Sequence, residues 1–269
     1  MKTADLETLR WKVAQLERGS SPMASARFST GSATIDAALG GGLLRGALHE
    51  IFARQILDEP SAASFAITLA LRTAGERPIL WVRQDFVGLE TGEIYAPGLN
   101  ELGLSPDRLI LVRARDAPSV LRAGEEAARC PPLGAVLIEP WGNPKTLDLV
   151  ASRRLALAAA CSDVPLFMVR AGGTPAPSAA ATRWSIAAAP SAALEADAPG
   201  HPAFAVSLMR DRVGSVGRNW IVEWDRDNRA FKDFGKDLQA GKDIQKISGG
   251  MVPLPAGGSR DAGGVQQAS

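Results

Sequence analysis

ALHEIF (47–52), RPILWVR (77–83), RLILVRA (108–114), LGAVLIEP (133–140) and VPLFMVR (164–170) are near-continuous apolar runs of strand length. They do not alternate apolar with polar, so each is expected to be buried on both faces. Helix-length segments lie between them: SAASFAITLALRTAG (61–75), APSVLRAGEEAARC (117–130) and KTLDLVASRRLALAAACSD (145–163). Between residues 84 and 107 the chain reads as a loop rich in Gly and Pro. Buried strands alternating with helices specify an α/β domain with a mostly parallel sheet covered on both sides.

After Thr182 the pattern changes. RWSIAAA (183–189), FAVSLMRDR (204–212) and NWIVEWD (219–225) follow one another without helices, and VGSVG supplies a hairpin turn between the last two. These read as antiparallel strands extending the sheet at one edge. Trp220 and Trp224 are an even number of residues apart and share one strand face. They are expected either to pack under the sheet edge or to anchor a partner. The core thus spans 27–232, and the tail 233–269, rich in Gly, Lys, Gln, Ser and Asp, is expected to be disordered.

The first segment, 1–19, carries Leu6, Leu9, Val13 and Leu16 at helical spacing among charged residues. That narrow stripe predicts a helix docking on one surface, tethered by a Gly/Ser/Pro linker over 20–26. The alternative is a helix folded back on its own core. Lys plus Arg number 30 against 29 Asp plus Glu, which argues against bulk attraction to nucleic acid or to a membrane surface. Cys130 and Cys161 lack metal-ligand spacing, and no leader or 18-residue apolar run occurs, so a cytoplasmic protein with ordinary thiols is expected.

FSTGSATIDAALGGGLLRGALHEIF (28–52) is similar to the stretch preceding the phosphate loop in the RecA/RadA recombinases. Thr30-Gly31, Ile35-Asp36, the Gly40-Gly41-Gly42 block and Gly46 stand in the register of that family, and the order of strands and helices matches its core. The resemblance implies a RecA-like, P-loop-NTPase-type fold. A phosphate loop needs glycines for close approach, a Lys for the β- and γ-phosphates and a Ser/Thr for magnesium. Here the chain reads ARQILDEPSAAS (53–64), with neither glycine nor lysine. Arg54 comes too early, and Asp58 and Glu59 bring negative charge to the helix entry. Asp58 and Ser61 are N-cap candidates instead, with Pro60 in the first turn, and Ser64 closes the segment.

The neighbouring positions follow the same trend. The catalytic Glu of the recombinases is replaced by Gln84-Asp85, while Glu139 occupies the acid position after AVLI and is expected to bond a backbone group or an Arg. The two segments matching the DNA-binding loops are PWGNPK (140–145) and AGGTPAPSAAAT (171–182). The second has no aromatic and no cation, and single-strand grooves need both. Arg170 and Arg183 flank it and leave room only for weak contact. No nucleotide, other cofactor or metal is expected, and DNA binding should be weak or indirect.

A RecA-like core without a phosphate-binding loop, opened by LRWKVAQLERG and closed by a hairpin from Arg210 to Asp225, resembles the ImuA family. That resemblance implies a non-catalytic accessory protein of SOS-induced translesion synthesis. Its implied partners are an ImuB-type Y-family polymerase homologue and an error-prone replicative-type polymerase, with contacts to RecA left open. It also implies recruitment to damaged nucleoid DNA. A SulA-type cell-division inhibitor and a DNA-dependent ATPase remain the competing readings, and neighbouring genes would separate the first from mutagenesis.

Overall fold

The computed structural model describes residues 26–191, 200–211 and 217–234. The leading stripe of Leu6, Leu9, Val13 and Leu16, most of the linker and nearly all of the tail lie outside them. The strands are β1 (Arg27–Phe28), β2 (Leu43–Leu44), β3 (Leu48–Ala53), β4 (Ile79–Gln84), β5 (Leu109–Ala114), β6 (Ala135–Glu139), β7 (Leu166–Val169), β8 (Thr182–Ala188), β9 (Ala203–Asp211), β10 (Arg218–Asp225) and β11 (Ala230–Asp233). The α-helices are α1 (Ala33–Ala38), α2 (Glu59–Ala74), α3 (Asp85–Thr91), α4 (Ala96–Glu101), α5 (Ala117–Ala128) and α6 (Leu149–Ser162).

Nine strands form one sheet in the order β11-β10-β9-β8-β3-β7-β6-β4-β5. The pairings from β8 through β3, β7, β6 and β4 to β5 are all parallel. Those among β8, β9, β10 and β11 are antiparallel. This is the α/β, mostly parallel sheet with antiparallel edge strands that the apolar runs specify. One refinement concerns β5: as the edge strand it leaves Ile110 and Leu111 exposed, so its apolar run is not buried on both faces.

Each face of the sheet has its own core. On one face α2 packs Phe65, Ile67 and Leu69 against Ile51, Phe167 and Trp184. On the other, α5 and α6 pack Val120, Leu155 and Ala158 against Val82, Val136 and Met168. The antiparallel strands extend the first face with an aromatic cluster. Phe65, Phe204 and Trp224 surround Phe231, with ring centroids 5.1–6.0 Å apart. Residues 84–107 are not the plain loop expected from their glycines and prolines. They hold α3 and α4, and Leu102 and Leu104 seal the core beneath.

A buried polar chain ties the layers together. His49 is fully buried, and its Nε2 lies 2.8 Å from the Leu44 carbonyl while Nδ1 lies 2.8 Å from Thr182 Oγ1. The carbonyl can only accept, so Nε2 carries the proton and Nδ1 accepts from the threonine hydroxyl. Thr182 Oγ1 in turn accepts the Trp184 indole N–H at 2.7 Å. Burial, the largest cause, lowers the His49 pKa to about 4, with Arg27 acting the same way and the Leu44 bond opposing.

The glycine-rich entry motif is explained by packing. Gly42 has φ +107°, and a Cβ there would lie 2.2 Å from the Phe28 carbonyl oxygen of β1. Gly31 has φ +96° and abuts β11, where a Cβ would meet Ala230 at 2.6 Å. Asp36 locks the turn between them by accepting the Thr30 N–H at 2.9 Å and the Thr30 hydroxyl at 2.8 Å.

Candidate functional site

In a parallel sheet with crossover helices, ligand sites form beyond the carboxyl ends of the strands. Here those ends gather the segments after β3, β4, β6 and β7, and with them most of the positions singled out in the sequence.

After β3 the chain makes a short 3-10 turn at Ile56–Asp58 and enters α2, with Pro60 in its first turn. Asp58 is the N-cap residue, but its carboxylate makes no capping bond. It reaches across to β8 and accepts the Ala188 N–H at 3.1 Å. Ser61 lies inside the first turn rather than at the cap. The expectation of a self-capped helix is thus corrected: the carboxylates of this turn hold neighbouring strands. Glu59 does the same toward β7, accepting the Gly172 N–H on Oε1 at 2.6 Å.

Glu59 is only 5% exposed, and its Oε2 has no partner. Burial raises its pKa to about 7, against the Gly172 bond and with help from the nearby Glu139 and Asp58 charges. An ionised carboxylate about 4 Å from a phosphate charge opposes it by roughly 4 kcal/mol at an effective dielectric of 20. In its ionised form Glu59 thus places a charge opposed to phosphate in the first turn of α2. Arg54 turns its Nη2 to Ser207 on β9 at 3.3 Å, and its Nη1 is buried without a partner.

Glu139, at the end of β6, is 2% exposed and receives the Arg83 Nε–H at 2.8 Å. Burial pushes its carboxyl up, while the guanidinium and the facing Trp81 indole hold the other way. Arg83 also donates from Nη1 to the Gly92 carbonyl and from Nη2 to the Thr91 hydroxyl, both at 2.7 Å. The guanidinium thus stands where a metal-linked acid would need open space. Gln84 accepts the Trp141 N–H at 2.9 Å, and Asp85 points outward to Arg113 at 3.1 Å.

The segments matching the DNA-binding loops are clasped to each other. Asn143 donates to Thr174 Oγ1 at 2.8 Å and accepts the Thr174 N–H at 3.0 Å. Gly142 donates to the Ala171 carbonyl at 2.7 Å. Arg170 is buried, bonds Asn143 Oδ1 at 2.9 Å and lies 3.5 Å from Glu50. Arg183 bonds the same Glu50 at 2.8 Å, and both guanidiniums lie over the Phe52 ring. Both arginines are thus engaged with Glu50 inside the protein.

Trp224 is fully buried and donates its indole N–H to the Leu102 carbonyl at 2.9 Å. It is core, with no exposed surface for a partner. Trp220 packs half-buried against Trp184 at 6.3 Å. Sequence reasoning missed Arg83, Glu50 and Asn143. The first two carried a signal, since a charged residue inside an apolar strand run requires an opposite charge beside it.

No family model matches the chain. Against curated proteins, it is 36% identical over 214 residues to Protein ImuA of Caulobacter vibrioides, in strain NA1000 / CB15N and equally in strain ATCC 19089 / CIP 103742 / CB 15. The match covers 73% of this chain and 82% of the relative. The chain belongs to the ImuA family. Among solved structures, this ImuA-family fold resembles the RadB recombinase, with a TM-score of 0.52 at 17% identity, covering 77% of this chain and all of that one. At that identity the likeness concerns the RecA-like fold. Among the described residues, no helix is long and apolar enough to cross a membrane, and no acid, His and Cys group could hold a metal.

Proposed function

We propose that this chain is a non-catalytic, RecA-like accessory protein of SOS-induced, error-prone translesion synthesis, acting by binding an ImuB-type Y-family polymerase homologue. An error-prone replicative-type polymerase belongs to the same assembly. Family membership supports the setting. The observation that carries the non-catalytic reading is the fate of the nucleotide site. Where phosphates would lie, Glu59 and Asp58 hold the Gly172 and Ala188 amides, and the acid at the end of β6 is neutralised by Arg83. A core that keeps the RecA-like frame but ties these acids to its own backbone and to Arg83 serves best as a rigid platform. The clasped loops after β6 and β7 agree, since they favour protein contact over strand threading.

The experiment is co-purification with the Y-family homologue from damaged cells, beside an ATPase assay of the same material. A stoichiometric complex without turnover is the expected result. Turnover abolished by Glu139→Gln would restore the enzyme reading. Capture of a tubulin-like division protein in place of the polymerase homologue would favour the SulA-type alternative.

A further inference from the structure

Beside the Arg83–Glu139 pair lies a cavity of about 770 Å³, between the first turns of α2, the segment 91–102 and the entry to β9. Its lining is mixed, and the apolar and aromatic part of it is Ile67, Trp81, Tyr95, Leu99 and Phe204. Tyr95 is largely exposed at the mouth, whereas Trp81 and Phe204 are buried. Glu59 lines the inner end, nine-tenths or more buried, with Oε2 unpartnered. A buried carboxyl oxygen without a donor costs free energy unless something fills the place.

The charges around it define what fits. Asp58 on the same turn and Glu139 on β6 both act on Glu59 with like charge, and Arg83 is committed to Glu139. Glu93 and Glu101 stand on the wall, Glu93 held by Arg113 at 3.0 Å. The basic side chains of the rim are His201 and Arg226, and Arg226 is turned to the Glu101 carbonyl and Asp227. Beside Glu59 an anion meets the neutral Trp81 indole N–H and no uncommitted guanidinium, while a cation meets an open carboxylate oxygen.

We infer that this cavity is a binding site for an organic cation, a guanidinium or primary ammonium set against Glu59 with its stem lying along Trp81, Tyr95, Leu99 and Phe204. Arginine and lysine side chains have this form, and so do free alkyl amines. Aromatic walls add attraction for the cation, and aliphatic ones bury the stem. Binding also draws Glu59 into its ionised form, so near neutral pH it releases protons.

Calorimetry of the full chain at pH 7 tests this, with agmatine and with an acetylated, amidated pentapeptide carrying one central arginine as separate probes. Heats in two buffers of different ionisation enthalpy read the proton release. Saturable binding by agmatine alone identifies a free amine as ligand, and binding by the peptide alone identifies a presented side chain. Binding by both supports the site with either source. Glu59→Gln should weaken binding at least tenfold and abolish proton release. Ser64→Phe, which adds bulk to the cavity wall from α2 and leaves the Glu59 carboxyl in the chain, should block binding in a protein that remains folded by circular dichroism. Failure of both probes to bind at millimolar concentration overturns the inference, as does affinity unchanged in both variants.

Discussion

The Glu59 carboxylate receives the backbone N–H of Gly172 at 2.6 Å, joining the start of α2 to the segment after β7. The carboxyl serves as a strut, and burial raises its pKa to about 7. An acid whose folded pKa lies above its unfolded value destabilises the fold once it ionises. That cost is absent below about pH 4.5, grows through the interval and is complete above pH 7. Glu59→Gln keeps an acceptor for Gly172 and removes the charge. It should raise stability by about 1–2 kcal/mol at pH 8, after discounting for residual solvent around the group. The gain should fade as the pH falls toward 4.5. Urea denaturation at pH 8 and pH 5 checks this, and a gain equal at both values would mean that the carboxyl is not strained.

His49 works in the opposite direction. Its folded pKa of about 4 lies below the ordinary 6.5, so its neutral form stabilises the fold fully above pH 6.5. That contribution is lost as the pH falls toward 4, amounting to about 3 kcal/mol. Because Glu59 compensates over an overlapping range, the Glu59→Gln background isolates the effect. Side-chain NMR should show one imidazole in the Nε2–H form titrating near 4. Titration of every imidazole near 6.5 would break the proposed His49–Thr182–Trp184 chain.

The Arg83–Glu139 pair should respond asymmetrically to substitution. Glu139→Ala leaves a buried guanidinium facing no acid and should cost about 3 kcal/mol or more. The double variant Arg83→Met, Glu139→Leu removes both charges and should recover most of that loss. Chemical denaturation gives the energies. In cells, damage-induced mutagenesis should survive in the double variant, because the carboxylate serves no nucleotide. Its loss in a variant that still folds would assign Glu139 a role beyond packing.

Much of the fold was legible because the parallel strands, the edge strand β5 excepted, are largely buried on both faces and advertise themselves as unbroken apolar runs. The segment 84–107 was not legible. Its glycines and prolines suggest a loop, yet Leu99, Leu102 and Leu104 find the sheet through α3 and α4, a tertiary effect without local periodicity. β11 was missed because AFKD is short and takes its strand form from pairing with β10. At the site, the missing glycines and lysine of ARQILDEPSAAS showed what the chain cannot bind. They did not show that Asp58 and Glu59 reach Ala188 and Gly172, because both acceptances involve backbone groups more than 100 residues away.

The stripe of Leu6, Leu9, Val13 and Leu16 is proposed as a docking element for a partner or a second copy. Each apolar side chain lost from such a contact costs about 2 kcal/mol or more. The triple variant Leu9→Ala, Val13→Ala, Leu16→Ala should therefore weaken self-association or partner binding at least a hundredfold. The melting temperature of the core should barely move. A much lower melting temperature in a monomeric variant would place the helix in its own core and shift the partner surface toward Trp220 or the tail.

The central claim is that the entry to α2, where Asp58 and Glu59 stand in place of a phosphate loop, does not hold a nucleotide. Titration of the full chain with Mg–ATP, followed by calorimetry, tests it most directly. The account predicts no saturable binding tighter than about 100 μM, which corresponds to roughly −5.5 kcal/mol. A dissociation constant below that value, abolished by substitution at Glu139, would contradict it.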